Sequence, residues 1–183
     1  MNKGVFSMRK IKTIIIALIS LFLLSGCDLE SDETKINRIL DTIVECLDNK
    51  DSASFKVLFS DYAITQDTNI DNEIESLFSY YEGTQVSIFK WGNAISTHSE
   101  YGKGYKNYSC SCDITTTTLV YRMAVSIYTK NDFDKTKIGI ESFYLLKEKD
   151  DPNKDYAYHG DGLWTVGCNI GKVMVEENED KSL

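Results

Sequence analysis

The spacing of the apolar residues changes at Gly83, and this change constrains the fold more than any other feature of the sequence. Before Gly83 the apolar residues recur every three or four positions, as on the buried stripe of an amphipathic helix. After it they alternate with polar residues, as on a strand that buries one face. The chain is therefore predicted to be an α+β protein, with helices first and a sheet second.

Three helices are predicted before Gly83. The first carries an apolar stripe over residues 36–47. The second begins at Asp51, which can cap it, and extends its stripe to Tyr62, and the third covers residues 70–81. We expect these three helices to pack on one face of the sheet.

The sheet is predicted to be a curved antiparallel meander. Short connections between successive strands favour this arrangement, because antiparallel neighbours need only tight turns. Residues 92–104 are polar and contain glycine, which indicates a long loop or an irregular edge. The predicted strands cover residues 86–91, 108–114, 121–128, 138–147 and 163–175.

An apolar run at residues 14–24 follows a basic segment and ends at Leu24-Ser25-Gly26-Cys27. The run has 11 residues, whereas a transmembrane helix needs about 18 or more, so a cleaved leader is favoured. The last four residues resemble the bacterial lipobox, in which the cysteine thiol receives a diacylglycerol group. The resemblance implies that Cys27 is the lipidation site and that this covalent diacylglycerol, with no other cofactor, holds the protein on the outer face of the bacterial cytoplasmic membrane.

The predicted organisation follows from this leader. Residues 1–26 form the signal peptide, residues 27–34 a lipidated tether, residues 35–175 a single α+β domain and residues 176–183 an acidic tail. The formal net charge is −8, and removal of the basic leader makes it about −12. Nucleic acid is therefore not an expected partner, since phosphate backbones attract clustered lysine and arginine.

Four segments resemble a known family. They are residues 48–60 (DNKDSASFKVLFS), 70–83 (IDNEIESLFSYYEG), 119–129 (LVYRMAVSIYT) and 137–146 (KIGIESFYLL). Together with the order of helices and strands, they resemble lipoproteins of low-GC Gram-positive bacteria grouped as domain of unknown function 5104, over roughly residues 33–172. The resemblance implies a nuclear transport factor 2-like, or cystatin-like, cone with a pocket between the concave face of the sheet and the first helix.

Arg122 is the most suggestive polar residue, because it lies among apolar neighbours in a central strand, where an unpaired charge is costly. It could anchor a carboxylate ligand, lie on a solvated face, or pair with a structural acid such as Glu141. Large aromatic side chains could line a pocket beside it or fill the core. These are Trp91, Tyr121, Tyr144 and Trp164.

The remaining reactive residues form no recognisable catalytic or metal-binding constellation. His98 and His159 fall in predicted polar loops, where surface positions are favoured over a general base. Asp151, Asn153 and Asp155 mimic the start of a calcium loop, but the glycine and glutamate that such a loop needs are replaced. Four cysteines after the lipobox allow core thiols, disulfides or a soft-metal site, with core thiols favoured: Cys46, Cys110, Cys112 and Cys168.

The sequence favours a membrane-tethered binding module over an enzyme. The expected ligand is a small molecule or an envelope protein, and no catalytic or metal-binding residue is assigned. The alternative is a cone-fold enzyme of the isomerase or dehydratase type. An acid or histidine that faces a tyrosine in a deep pocket favours the enzyme, whereas an exposed apolar patch or sheet edge favours a protein partner.

Overall fold

The computed structural model describes residues 31–174. The predicted signal peptide at residues 1–26, the lipidation site Cys27 and the predicted acidic tail at residues 176–183 lie outside this range. The chain divides into two units at Arg38, within the first helix, and the sheet belongs to the unit that starts at Ile39. No helix in residues 31–174 is long and apolar enough to cross a membrane.

The described part begins with four helices rather than the three predicted. The first starts at Asp32, inside the predicted tether, because the Ser31 hydroxyl accepts a hydrogen bond from the Thr34 backbone N–H at 3.2 Å. Asp32 and Glu33 favour this start through the helix dipole. The helices are α1 (Asp32–Asn49), α2 (Ser52–Val57), α3 (Asp61–Gln66) and α4 (Ile70–Tyr80).

The prediction of one second helix is wrong, since α2 and α3 are separated by a backbone bridge between Phe59 and Ile140. The Ile140 N–H donates to the Leu58 carbonyl at 2.8 Å, and the Ser60 N–H donates to the Ile140 carbonyl at 2.9 Å. The Ser60 hydroxyl then caps α3 by accepting from the Ala63 N–H at 3.0 Å. Pairing with the sheet therefore interrupts an apolar stripe that is continuous in the sequence.

The sheet has five strands within residues 31–174, in the order β1-β2-β3-β4-β5. The first three neighbouring pairs are antiparallel, as predicted. Single turns of 3-10 helix precede and follow β4, at Lys135–Lys137 and Glu148–Asp150. The strands are β1 (Gln85–Glu100), β2 (Lys103–Thr116), β3 (Val120–Asn131), β4 (Gly139–Lys147) and β5 (Gly167–Ile170).

The predicted loop at residues 92–104 is instead most of a long hairpin, in which β1 pairs with β2 as far as Glu100 and Lys103. Tyr101 and Gly102 form the turn with φ values of 47° and 79°, as a two-residue type I′ turn requires. His98 consequently lies on β1, stacked on Tyr105 with ring centroids 5.7 Å apart. The prediction failed because an exposed edge strand carries no alternation of apolar and polar residues.

The last strand also differs from its prediction, being four residues long and parallel to β4. After β4 the chain crosses one face of the sheet, so that β5 starts at the same end as β4 and the meander is broken. Gly167 opens β5 with a φ of 101°, and a Cβ there would collide with the Asp67 carboxylate. Glycine is therefore required at the start of this strand.

Alternation along β2, β3 and β4 gives the sheet two unlike faces. On the helix face the Phe143 ring packs against Phe55 of α2, with centroids 5.2 Å apart. The opposite face, here called the cover face, lies beneath residues 151–166, here called the cover segment. Buried residues of the helix face are Tyr108, Cys110, Cys112, Ile114, Tyr121, Met123, Val125, Phe143 and Leu145; those of the cover face are Ser111, Arg122, Ala124, Ser126, Ser142, Tyr144 and Leu146.

The four cysteines of the domain are buried and free. Cys110 and Cys112 lie on the helix face, where burial raises the pKa of the Cys110 thiol. A buried thiol of raised pKa stays neutral and packs as a small apolar side chain. The four cysteines are thus core thiols, which is the arrangement that the sequence favoured.

Candidate functional site

Arg122 fastens the start of the cover segment to β3. Its side chain is 1% exposed, and one guanidinium nitrogen, Nη1, donates to the Asp151 carboxylate at 2.6 Å and to the Asn153 carbonyl at 2.9 Å. The other, Nη2, donates to the Lys154 carbonyl at 2.6 Å. The fork geometry of arginine suits such multiple bonds. Both terminal nitrogens of the guanidinium are therefore occupied by groups of the same chain.

A second acid and an aromatic ring complete the surroundings of Arg122. Its Nε lies 3.4 Å from the Asp113 carboxylate, and the Trp91 ring covers the guanidinium at 4.9 Å. Burial raises the pKa of Asp113, an effect that Trp91 and Arg122 oppose. Glu141, proposed from sequence as a partner, pairs instead with Lys137 at 3.2 Å. The acids that pair with Arg122 are thus Asp113 and Asp151.

A second fastening joins Tyr144 of β4 to the far end of the cover segment. The Tyr144 hydroxyl donates to Asp161 Oδ1 at 2.8 Å, and burial raises the pKa of Tyr144. Asp161 also accepts from the Thr165 hydroxyl at 2.5 Å and the Leu163 N–H at 3.0 Å. Burial raises the pKa of Asp161, but these hydrogen bonds outweigh it and lower the pKa. An ionised carboxylate with three donors is a structural acceptor.

Tyr121 lies on the opposite side of the sheet from Tyr144. Its hydroxyl donates to the Tyr80 carbonyl at 3.0 Å and accepts from the Glu82 N–H at 2.8 Å. These bonds satisfy backbone groups at the end of α4. Tyr121 therefore connects a helix end to the sheet, and it shares no site with the residues of the cover face.

A cavity of about 400 Å³ lies between the β1–β2 hairpin and the cover segment. Its floor is made by residues 92–94 and 109–111, and its roof by Ala157, His159 and Trp164. Among residues 31–174, no carboxylate, lysine, arginine or tyrosine belongs to this lining. The cavity thus combines small side chains, one indole and one imidazole.

Two lining residues have unusual properties. Ser111 is 5% exposed, and its hydroxyl has no hydrogen-bond partner among the described residues. Trp164 has a φ of 55°, a left-handed conformation that is rare for a bulky residue and concentrates at functional sites. Its carbonyl accepts from the Ser142 hydroxyl at 2.9 Å, and its ring meets Tyr144 edge-on at 6.0 Å. The surrounding bonds hold Trp164 in this conformation.

Of the five residues proposed from sequence to line a pocket, Trp164 lines this cavity. Arg122 and Trp91 lie together at the first fastening, whereas Tyr144 and Tyr121 belong to separate hydrogen-bonded groups. The cavity is on the cover face, and not between the concave face of the sheet and the first helix as the family resemblance implied. Alternation of serine and cysteine in β2 identifies the floor as the polar face, but no local pattern predicts its roof.

One comparison with known proteins places the chain in a family. The family model described as Domain of unknown function (DUF5104) matches residues 42–148. The match extends from α1 to the turn after β4 and ends before the cover segment. No curated protein matches the chain. Because the matched region is more than half of the 183 residues, the chain belongs to the family described as domain of unknown function 5104.

Proposed function

We propose that this chain is a lipoprotein, anchored through Cys27 on the outer face of a bacterial cytoplasmic membrane, whose domain binds a small molecule in the cavity of the cover face. The observation that carries the binding role is the cavity itself, whose floor includes Ser111, a residue with a buried hydroxyl that has no hydrogen-bond partner among the described residues. Its volume of about 400 Å³ falls within the range of small-molecule sites. Arg122 and Asp161, in contrast, are occupied by internal bonds.

The anchor rests on the sequence Leu24-Ser25-Gly26-Cys27 after a basic and then an apolar segment. Two or three acyl chains give stable attachment, at about 0.8 kcal/mol for each buried CH₂ group. The order of helices before a curved, mostly antiparallel sheet supports the nuclear transport factor 2-like cone as the fold family of the domain. The parallel strand β5 is the point at which this sheet differs from a simple antiparallel meander.

Binding is better supported than catalysis of the isomerase or dehydratase type. Such an enzyme needs an acid or imidazole that faces a tyrosine at the ligand. Within the described residues, His159 is the titratable side chain of the lining, because Cys110 directs its thiol to the helix face, where burial raises the pKa of that thiol. The buried tyrosine–aspartate pair, Tyr144 and Asp161, is separate from the lining and already fully bonded.

A protein partner is a second candidate, because β1 is an edge strand with exposed apolar side chains. Val86 and Phe89 are each 62% exposed, and Ile95 is 47% exposed. An exposed edge can add a strand from another chain. Ile95→Lys should then reduce recovery of cross-linked partners from intact cells, whereas Ser99→Lys on the same strand should not. Equal recovery with both variants would contradict this candidate.

The binding role can be tested by filling the cavity. Ala94 lines it from an exposed position on β1, so Ala94→Trp should block the site without disturbing the core. Ser96→Trp, two residues further along the same exposed strand and outside the lining, is the matched control. Saturation-transfer NMR with a fragment library should detect ligands of the parent and the control that Ala94→Trp no longer binds. Identical ligand profiles for all three proteins would overturn the proposal.

The anchor has a separate test. Cys27→Ala should abolish metabolic labelling with a clickable palmitate analogue, because the thioether can form only on the thiol. Ser25→Ala is the matched control, since the lipobox accepts alanine at that position, and it should be labelled like the parent. Labelling of Cys27→Ala at the parental level would show that the chain is not lipidated at this residue.

A further inference from the structure

We propose that the ligand of the cover-face cavity is a flat, uncharged ring compound with a hydrogen-bonding substituent, such as a neutral aromatic amide or heterocycle. This inference rests on the proposed function and names the chemical class of its ligand. Three features of the cavity, as far as the described residues form it, lead to this class: a lining without carboxylate, lysine or arginine, the indole of Trp164, and the hydroxyl of Ser111, which has no hydrogen-bond partner.

The lining favours an uncharged ligand. Within the part of the chain that the structure describes, no aspartate, glutamate, lysine or arginine lines the cavity. An ion that leaves water for such a site loses hydration without gaining a counter-charge. The buried charges of the cover face offer no replacement, because Arg122 is matched by Asp113 and Asp151.

Trp164 favours a flat ligand. The Ser142–Trp164 hydrogen bond and the edge-on contact with Tyr144, at an interplanar angle of 82°, fix the indole at the roof. Offset stacking on an indole is the preferred contact of a planar ring. Strained conformations such as the φ of 55° at Trp164 persist where the surrounding structure enforces them, typically at ligand sites.

Ser111 requires a polar group on that ring. A buried hydroxyl without a partner is unfavourable and rare in folded proteins. Rotation about χ1 moves the hydroxyl between staggered positions, so that it can meet a ligand atom in the cavity. A hydroxyl both donates and accepts a hydrogen bond, so an amide or a ring nitrogen can pair with it without carrying charge.

The size of the cavity admits a fused ring system as well as a single ring. A volume of about 400 Å³ corresponds to roughly a dozen water molecules at about 30 Å³ each. A cavity of about 150 Å³ holds benzene, so a fused ring with a hydrogen-bonding substituent fits in this space with room for further atoms.

Three probes separate the features of the class: benzamide, cyclohexanecarboxamide and benzoate. Saturation-transfer NMR titrations with the mature lipidated protein in nanodiscs, and empty nanodiscs as the blank, should show millimolar binding of benzamide. Cyclohexanecarboxamide, which has the same amide on a puckered ring, should bind about fivefold more weakly. Benzoate, which has the same ring and a charge, should bind at least about tenfold more weakly.

Variants assign these preferences to residues. Trp164→Leu should bind both carboxamides equally, whereas Trp164→Phe keeps a ring and should retain the preference for benzamide. Ser111→Ala should weaken both carboxamides about fivefold, while Ser96→Ala, outside the lining, should leave both unchanged. Thermal unfolding of each variant shows whether a lost preference reflects a lost fold. If Trp164→Leu does not fold, the comparison with the parent is made with Trp164→Phe.

The outcomes distinguish the ligand class from the proposed function. If cyclohexanecarboxamide binds as tightly as benzamide, or benzoate binds most tightly, the proposed class is wrong and the binding role stands. The same conclusion follows if none of the three probes binds while other fragments give signals that Ala94→Trp abolishes. If no fragment of any class gives such a signal, both the ligand class and the proposed function are overturned.

Discussion

The two faces of the sheet are built from the same strands but are covered in different ways. The helix face is filled by aromatic, aliphatic and thiol side chains that pack against the helices. The cover face combines directed polar contacts, chiefly those of Arg122 and Tyr144, with a small apolar cluster of Ala124, Tyr144, Leu146 and Tyr158, and it retains a cavity. Apolar packing fills space without regard to direction, whereas polar fastenings fix particular points and leave room between them.

The largest effect is expected on the helix face. Phe143→Ala should destabilise the domain by about 3–5 kcal/mol, because Phe143 is fully buried and its removal leaves a cavity. Phe133→Ala is the control, since Phe133 is 50% exposed, and it should cost less than about 1 kcal/mol. Urea unfolding followed by circular dichroism measures both. Equal effects would mean that the helix face is not the main apolar core.

The cover face should respond next most strongly, to removal of the Arg122 guanidinium. Arg122→Met should cost about 3 kcal/mol, because the buried Asp151 and the partly buried Asp113 lose their counter-charge. Hydrogen exchange should accelerate in the cover segment and much less in α4. Lys135→Met, which removes the exposed ion pair to Asp132, should cost less than about 1 kcal/mol. If hydrogen exchange in Arg122→Met accelerated equally on both faces, Arg122 would not hold the cover segment specifically.

A smaller change is expected from Tyr144→Phe, which removes the hydroxyl and keeps the ring. Asp161 retains its bonds from Thr165 and Leu163, so the cost should be about 1 kcal/mol. Hydrogen exchange at residues 161–165 should increase, while the start of the cover segment should be unaffected. Tyr101→Phe, at the exposed hairpin turn, should change neither quantity. Unchanged exchange in Tyr144→Phe would show that this hydrogen bond does not hold the segment.

The smallest effect concerns a carboxyl group on the helix side. Burial and the neighbouring Asp67 raise the pKa of Glu73 to about 7 from 4.5, while Lys172 opposes them. The folded state therefore binds the proton more tightly than the unfolded state, and its stabilising effect is present below about pH 4.5 and lost as pH rises through about 7. With solvent screening, the loss should be about 1 kcal/mol or less.

Glu73→Gln tests this pH dependence. The unfolding free energy of the parent, measured between pH 5 and about 8, should fall more steeply with pH than that of Glu73→Gln. Glu75→Gln, at an exposed position of the same helix, is the matched control and should keep the parental slope. Parallel curves for the parent and Glu73→Gln would show that Glu73 does not titrate differently in the folded state.

What the sequence predicts well is the part of the fold that depends on local periodicity. The stripes of α1 and α4 were confirmed, because each helix buries one face. The apolar residues that alternate in β2, β3 and β4 lie together on the helix face, and the cover segment buries much of the opposite face as well. The extension of the β1–β2 hairpin was missed, since its exposed residues need no pattern. The parallel direction of β5 was missed as well, because it depends on the path of the cover segment.

The candidate site was harder to predict than the fold. Its roof and floor come from residues about fifty positions apart, and no local signal joins Ser111 to Ala157 or Trp164. The sequence indicated that a charge at Arg122 needs a partner, but the choice of Asp151 over Glu141 depends on where the cover segment lies. Polar pairs between residues far apart in the chain are therefore the part of the site that the sequence does not predict.

The parallel strand β5 has a consequence for the roof of the cavity. Because Arg122 holds one end of the cover segment and β5 continues from the other, the segment is a strap fixed at both ends. A strap of this kind cannot swing away from a single hinge, and its middle is also held, because Tyr158 is buried against Tyr144. A proteolytic nick at the exposed Tyr156 would therefore produce two arms that each remain tied to the sheet.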